Sequence, residues 1–374
     1  MYKKTVFLLI LLLTITSIYS LAPLRPDQRQ IDLTIKDNGN MVVKNFRFGF
    51  PDGTFDSAEF RTATIDPNKI KDVYYWSKDF PPKYIGAHGM LMFLMKDFNG
   101  IVTDRGEKEI GLVMSVEAWL RTDQEYSIIK GVKPGNYPII YTVTGYTDGI
   151  QRAINVGGLT IGQYKLKLND DQKKDLLIRT LKKAVSVRDE SYNTVVNSCV
   201  STVFDLINEV VPKKKRLKKW IIPYVLLNPR VILPRLAPGY LQSKGLAGKK
   251  DALYDMNSTI VLDTEDGPFK IVVADLPTRP TKRSDFDFTQ FDNTIANYLT
   301  TITMMREMGK NSENITANVL FNQFSYETDV MLDDIQKMVK ENPSRYIEHY
   351  FSNKLNEIEG TEDITLIINE AKKQ

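Results

Sequence analysis

From Ile31 to Phe60 apolar and polar residues alternate in short runs (Ile31, Leu33, Ile35; Val42, Val43; Phe46, Phe48, Phe50), cut by Asn38-Gly39 and Pro51-Asp52-Gly53. Period-two alternation interrupted by turn formers predicts β-hairpins. From His88 to Met95 the run is continuously apolar after the opening His88-Gly89, the pattern of a strand buried on both faces at the centre of a sheet. A loop rich in Asn, Gly and Asp, 97–109, leads to a second apolar run, 110–120. The two are expected to form a hairpin centred near Thr103, with His88 opposite roughly residue 118 and Ser115 or Glu117 beside it. Tyr137 to Tyr146 and Leu159 to Leu168 continue the alternation, so 31–168 is predicted to be mostly sheet.

At Asn169 the period changes. Residues 169–186 begin with acidic residues, end with lysines and carry Leu176, Leu177, Leu181, Ala184 and Val185 on one face, which predicts an amphipathic helix. A second helix follows, with Val200, Val203, Phe204, Ile207, Val210 and Val211 at helical spacing. Cys199 falls in its first turn, and Asn197 or Ser198 is placed to cap it. Residues 257–274 read as a hairpin turning at Glu265-Asp266-Gly267. Beyond a polar linker, 277–285, the chain is predicted to be helical: 291–308, 315–341 with an interruption near Tyr326, and 343–356.

The ends and composition narrow the class. Residues 1–20 have two lysines, an apolar run and then small polar residues, the make-up of a secretory signal peptide. The protein is therefore expected to be exported to the periplasm or cell envelope. Of the 374 residues 42% are apolar and 26% charged, ordinary for a globular chain, and the net charge of +4 names no partner. One cysteine excludes an internal disulfide framework, and an unpaired thiol in an exported protein is flagged as reactive. Two histidines cannot assemble a His/Cys metal site, and neither a dinucleotide fingerprint nor a phosphate loop is present, so no cofactor is expected.

Unpaired backbone N–H groups and the positive end of a helix favour a thiolate and can hold an oxyanion. Cys199 is thus the candidate nucleophile, His88 its candidate base and Glu117 a candidate orienting carboxylate. Asn197, Tyr192 and Trp220 are candidate substrate contacts. The plain alternatives are a small buried hydrophobe for Cys199, a surface ion pair for Glu117 and a structural role for His349. In 213–241, six basic residues in seven positions from Lys213 to Lys219 run into Trp220, Ile221 and Ile222 among several prolines. In an exported protein this combination suits peripheral contact with an anionic membrane through Lys213 to Trp220, and export argues against nucleic acid.

A His at the start of an apolar strand (AHGMLMF), SVEAWL on the next strand, a Leu-rich helix, and then Y-N-x-x-x-N-S-C-V-S-T opening another helix together resemble the Lnb-type periplasmic domain family, over roughly 70–246. That family is among the permuted papain-like enzymes, similar to lecithin retinol acyltransferase-like proteins. The resemblance implies an α+β fold: a permuted papain-like core of antiparallel sheet and nucleophile helix, with a β-rich N-terminal extension, over 21–276, followed by a helical C-terminal region, 286–374. It also implies acyl transfer or hydrolysis on a phospholipid or lipoprotein substrate through a Cys199 thioester. The family's Asn-Cys pair is displaced here to Asn197-Ser198-Cys199. A cell-wall peptide amidase of the same Cys/His class and a non-catalytic envelope binding protein are the competing readings.

Overall fold

The computed structural model describes residues 23–372 apart from 80–86, 123, 125, 127–130, 132–134, 187–189, 195, 223–225, 233, 279–290, 293, 296, 300, 303–304, 306–314 and 354. The expected signal segment and most of the 277–285 linker lie outside the described residues.

The fold is α+β, built on a large, mostly antiparallel sheet. Strands β1 (Asp32–Ile35) and β2 (Met41–Gly49) meet at the predicted Asn38-Gly39 turn, where Gly39 adopts φ +83°. After β3 (Glu59–Ile65) come β4 (Ile70–Asp79), β5 (Ala87–Met95), the short β6 (Ile101–Thr103), β7 (Gly111–Ala118), β8 (Ile139–Gly145) and β9 (Thr160–Leu166). A small ribbon pairs β10 (Trp220–Ile222) with β11 (Leu226–Leu227), and β12 (Ala247–Tyr254) returns to the main sheet. The sheet order is β12-β9-β4-β5-β7-β8-β2-β3-β6, with β1 on β2 and only β2 and β8 parallel. β5 is therefore central and is covered on both faces, which is why its sequence shows almost no polar position.

One face carries α2 (Asp170–Ser186) and α3 (Cys199–Val210). Their buried stripes, with Leu177, Leu181, Val203 and Phe204, pack on Leu91, Phe93, Met114 and Val116. The other face is covered by a segment that lies between two predicted strands and had no element of its own assigned. Residues 146–156 form α1 (Tyr146–Ile150) running directly into a π-helical turn (Gln151–Val156). Thr147-Asp148-Gly149 is poor strand sequence, and Ile150, Ala153 and Ile154 fall at helical spacing against Met90, Met92 and Val113. The predicted hairpin, β13 (Thr259–Thr264) with β14 (Gly267–Val272), completes that layer.

After α3 the chain makes short pieces: α4 (Pro229–Ile232), a 3-10 turn (Pro234–Leu236) and α5 (Ala237–Ser243), the prolines preventing a longer helix. The C-terminal region comprises α6 (Ile315–Glu341), α7 (Pro343–Ser352) and α8 (Glu362–Ala371). These pack with Phe291, Ile295 and Tyr298 around a core of their own. The interruption expected near Tyr326 is absent. Tyr326 is exposed, so an aromatic residue there leaves the backbone of α6 continuous.

A buried carboxylate joins the α1 layer to β7. Glu109 accepts from the Tyr146 and Thr147 backbone N–H groups at the start of α1, and burial pushes its pKa up to about 8. A carboxyl whose folded pKa is raised stabilises the fold below its ordinary value of about 4.5, and that contribution is lost as pH rises through 8. Glu109→Gln is expected to remove this dependence, worth at most about 1.4 kcal/mol per pH unit in that window. Melting curves of both proteins between pH 5 and 9 check it, and parallel curves count against a neutral Glu109.

Candidate active site

The pairing of β5 with β7 runs from Leu94↔Gly111 to Met90↔Ser115 and stops there. Continuing the register sets Glu117, not residue 118, across from His88. Beyond the last pair the Ala87–Gly89 end of β5 and the Val116–Ala118 end of β7 are not paired, and the candidate residues lie around this end.

His88 lies 2.6 Å through Nε2 from Ser115 Oγ, and Ser115 Oγ donates to Glu117 Oε1 at 2.8 Å. Proton bookkeeping sets the tautomer. An ionised carboxylate only accepts, so the single Ser115 hydroxyl proton goes to Glu117. The Ser115 oxygen must then accept from His88 Nε2–H, which leaves Nδ1 as the basic nitrogen of the neutral ring. Glu117 is held further by Gln28 Nε2 at 2.9 Å and by Arg152 Nη1 and Nη2 at 3.0 and 2.9 Å. Burial by itself would raise the Glu117 pKa, but Arg152, assisted by Lys78 and Arg47, holds it well below the usual carboxylate range. Arg152, on the π-helical turn, also reaches Asp27 at 3.2 Å, and Asp27 takes a second guanidinium from Arg25 at 2.9 Å. Beside them Arg47 binds buried Asp148 at 2.8 Å.

Lys78 pairs with His88 across β4 and β5. Burial and the neighbouring Arg152 lower the Lys78 pKa to about 8. Burial and Lys78 lower that of His88 to about 3, so its imidazole is neutral throughout the physiological range.

Cys199 is the first residue of α3. Ser198 is its N-cap: the Ser198 hydroxyl accepts from Ser201 N–H at 3.3 Å while Ser201 Oγ accepts from Ser198 N–H at 2.8 Å, a reciprocal capping box. Asn197 is instead tied into the preceding loop, its amide donating to Glu190 and to the Ser191 carbonyl. Cys199 is only 3% exposed, its sulfur facing the Gly89 and Val200 N–H groups and the Tyr192 hydroxyl. Burial raises the Cys199 pKa, and those three donors together with Lys78 oppose the rise without cancelling it. In the resting site the sulfur is a thiol. Tyr192, itself buried, stacks edge-on with Tyr126 at 5.8 Å, which turns its hydroxyl toward the sulfur.

His88 and Cys199 do not share a face. His88 has the parity of Met90 and Met92, which face the π-helical layer, whereas Cys199 belongs with Leu91 and Phe93 on the α2/α3 face. What joins them is the next residue, Gly89, whose N–H faces the sulfur across the free end of β5. Sequence reasoning located Cys199, His88 and Glu117. It placed Ser115 or Glu117 beside His88, where both now stand, but did not single out the Arg152–Asp27–Gln28 clamp or Lys78, because those contacts depend on how separate elements pack.

The basic run folds back along α3. Leu217 is buried, its N–H and C=O both bound by the Asn208 side chain, and Lys219 pairs with Asp205. Lys213, Lys214, Arg216 and Lys218 remain exposed. The segment then reaches the end of β4, where Arg235 pairs with Asp79 at 2.7 Å and Leu236 is exposed. Trp220 begins β10, but its side chain lies outside the described residues. His349 bonds Asp292 through Nε2 at 2.7 Å and lines a cavity of about 310 Å³ with Ile295, Leu299 and Leu355, away from the other candidates in sequence. Among the described residues no group of three His, Cys, Asp or Glu side chains is arranged for a metal ion, and no helix is long and apolar enough to cross a membrane.

Residues 56–229 match the family model of the Lnb N-terminal periplasmic domain. The stretch contains His88, Ser115, Glu117, Arg152 and Cys199. No curated protein and no solved structure matches the chain.

Proposed function

We propose that this envelope protein, whose residues 56–229 match the model of the Lnb N-terminal periplasmic domain, is an exported cysteine-dependent acyltransferase or hydrolase acting on lipid or lipoprotein acyl groups. The observation that carries the reading is the convergence, at one free strand end, of the first residue of a capped helix, Cys199, and a polar chain running from His88 through Ser115 to Glu117 and Arg152. The sheet with α3 then serves as a permuted papain-like core, and 286–374 as an appended helical region.

Cys199 attacks an ester or amide carbonyl. His88, neutral and with Nδ1 free, takes the thiol proton at the unpaired end of β5 and returns it to the leaving group. Glu117 keeps Nε2–H engaged through Ser115, so the basic nitrogen is held at Nδ1. Water or an amine resolves the thioester, and the acceptor decides between hydrolase and transferase. The exposed cations from Lys213 to Lys218, leading to exposed Leu236 next to the β4 end, support docking on an anionic bilayer with the site turned toward it.

A second reading, a non-catalytic envelope binding protein, is favoured by one observation: the thiol is buried and the His88 ring lies on the other face of β5. Incubating the protein with anionic vesicles holding acyl-labelled phospholipid separates the two. A labelled adduct on Cys199, detected by intact mass and peptide mapping, is expected. A thiol that reacts with neither lipid nor thiol probe until the protein unfolds establishes the binding reading instead. The cell-wall amidase reading predicts release of amines from peptidoglycan stems and no lipid adduct.

A further inference from the structure

Tyr75, on β4, has its side chain on the Cys199 face and is completely buried. Its hydroxyl has no hydrogen-bond partner in the described structure, the sulfur of Cys199 included. Buried hydroxyls are nearly always paired, because leaving one dry and unbonded is unfavourable. A phenylalanine there would pack as well without that defect. The chain also makes room for this oxygen: a methyl group at Gly89 would stand 2.4 Å from it, so only glycine leaves the space that the hydroxyl fills. Gly89 is the residue whose N–H faces the Cys199 sulfur, and Tyr75 and Cys199 interact electrostatically.

A donor without a partner in the resting state, close to the nucleophile yet not bonded to it, is placed for an atom that appears only during reaction. The sulfur already has the Tyr192 hydroxyl and two backbone N–H groups. An oxygen on the carbon bonded to that sulfur lies one bond further out, and the Tyr75 hydroxyl, set against Gly89, is the unbonded donor on that side.

We infer that the Tyr75 hydroxyl is an oxyanion donor, binding the alkoxide formed when Cys199 attacks an acyl carbonyl, and that Gly89 is present to admit it. The inference rests on the acyl-transfer reading. In the step it serves, the Cys199 sulfur forms a bond to the carbonyl carbon and the C=O π pair moves onto oxygen. That oxygen accepts a hydrogen bond from Tyr75 O–H. When the pair returns, the carbon–oxygen bond to the leaving alcohol breaks, and the alcohol takes its proton from the His88 imidazolium. Tyr192 stabilises the thiolate before attack, whereas Tyr75 stabilises the tetrahedral alkoxide after it.

The test compares wild type and Tyr75→Phe in three measurements: the acylation burst with a p-nitrophenyl acyl ester, alkylation of Cys199 by iodoacetamide, and the melting temperature. Alkylation forms no oxyanion. The expected result is a fall in acylation of about 10²–10³-fold, the loss seen when one oxyanion donor is removed, with alkylation within about 3-fold of wild type and a melting temperature equal or higher. Equal acylation in both proteins overturns the assignment of Tyr75 and leaves the acyl-transfer reading standing. A parallel fall in acylation and alkylation also overturns it, since Tyr75 would then act on the sulfur. A wild-type protein that is alkylated but never acylated sinks the acyl-transfer reading, and this inference with it.

Discussion

Cys199→Ala is expected to abolish acyl-adduct formation, reducing turnover to background, a loss on the order of 10⁶-fold as for other isolated nucleophiles. Cys199 is the only cysteine of the chain, so no neighbouring thiol can substitute. The fold should tolerate the change at modest cost: the capping box that starts α3 belongs to Ser198 and Ser201, and what is lost are the weak contacts of the sulfur with the Gly89 and Val200 N–H groups and the Tyr192 hydroxyl. His88→Ala should slow the same reaction while leaving some thiolate chemistry at high pH, because a raised thiol pKa is overcome by alkali. Intact mass after exposure to labelled phospholipid, with circular dichroism as the control on folding, measures both. Full adduct formation by a folded Cys199→Ala protein would falsify the assignment of the nucleophile.

Arg152→Met is expected to cost about 3–5 kcal/mol of stability, the range for removing one partner of a buried ion pair. Arg152 bonds Glu117 and Asp27 together, and both carboxylates are nearly or wholly inaccessible. Without it Asp27 retains Arg25, but Glu117 keeps only the neutral donors of Gln28 and Ser115 close by. A buried, unpaired carboxylate answers by taking up a proton. A protonated Glu117 can donate toward Ser115, which reverses the hydrogen-bond chain and frees the other tautomer of His88. Stability and site geometry are therefore expected to fail together. Adding Glu117→Gln should recover part of the stability and none of the activity. Urea denaturation of the single and double variants is the measurement, and a single-variant loss below about 1 kcal/mol would show that the network is solvated.

Much of the framework was legible in the chain. The turn at Asn38-Gly39, the central strand at His88 to Met95, the hairpin at 257–274 and the helices at Asp170 and Cys199 follow from local periodicity and turn chemistry, which act over a few residues. The β5/β7 register differs from the expected one by a single residue, Glu117 rather than residue 118 lying across from His88. The choice between Asn197 and Ser198 as cap was not legible, since both are good caps, and was decided by which side chain the loop holds elsewhere. The helical segment from Tyr146 to Val156 was not singled out, because it is short and lies between two runs of strand alternation in a region expected to be mostly sheet.

By itself the sequence determined the elements and the residues that stand at their ends: one thiol at a helix start, one histidine at a strand start and a carboxylate on the neighbouring strand. Only the tertiary structure decided how they meet. Strand parity set His88 and Cys199 on opposite faces of β5, the β5/β7 pairing ends between Met90 and His88, and Ser115 became the link to Glu117. Burial then left the imidazole neutral and the thiol protonated, and Arg152 arrived from a π-helical turn to keep Glu117 charged. Secondary structure answers to neighbours along the chain, whereas protonation and pairing answer to the field of every group packed nearby, and those groups are brought together only by the completed fold.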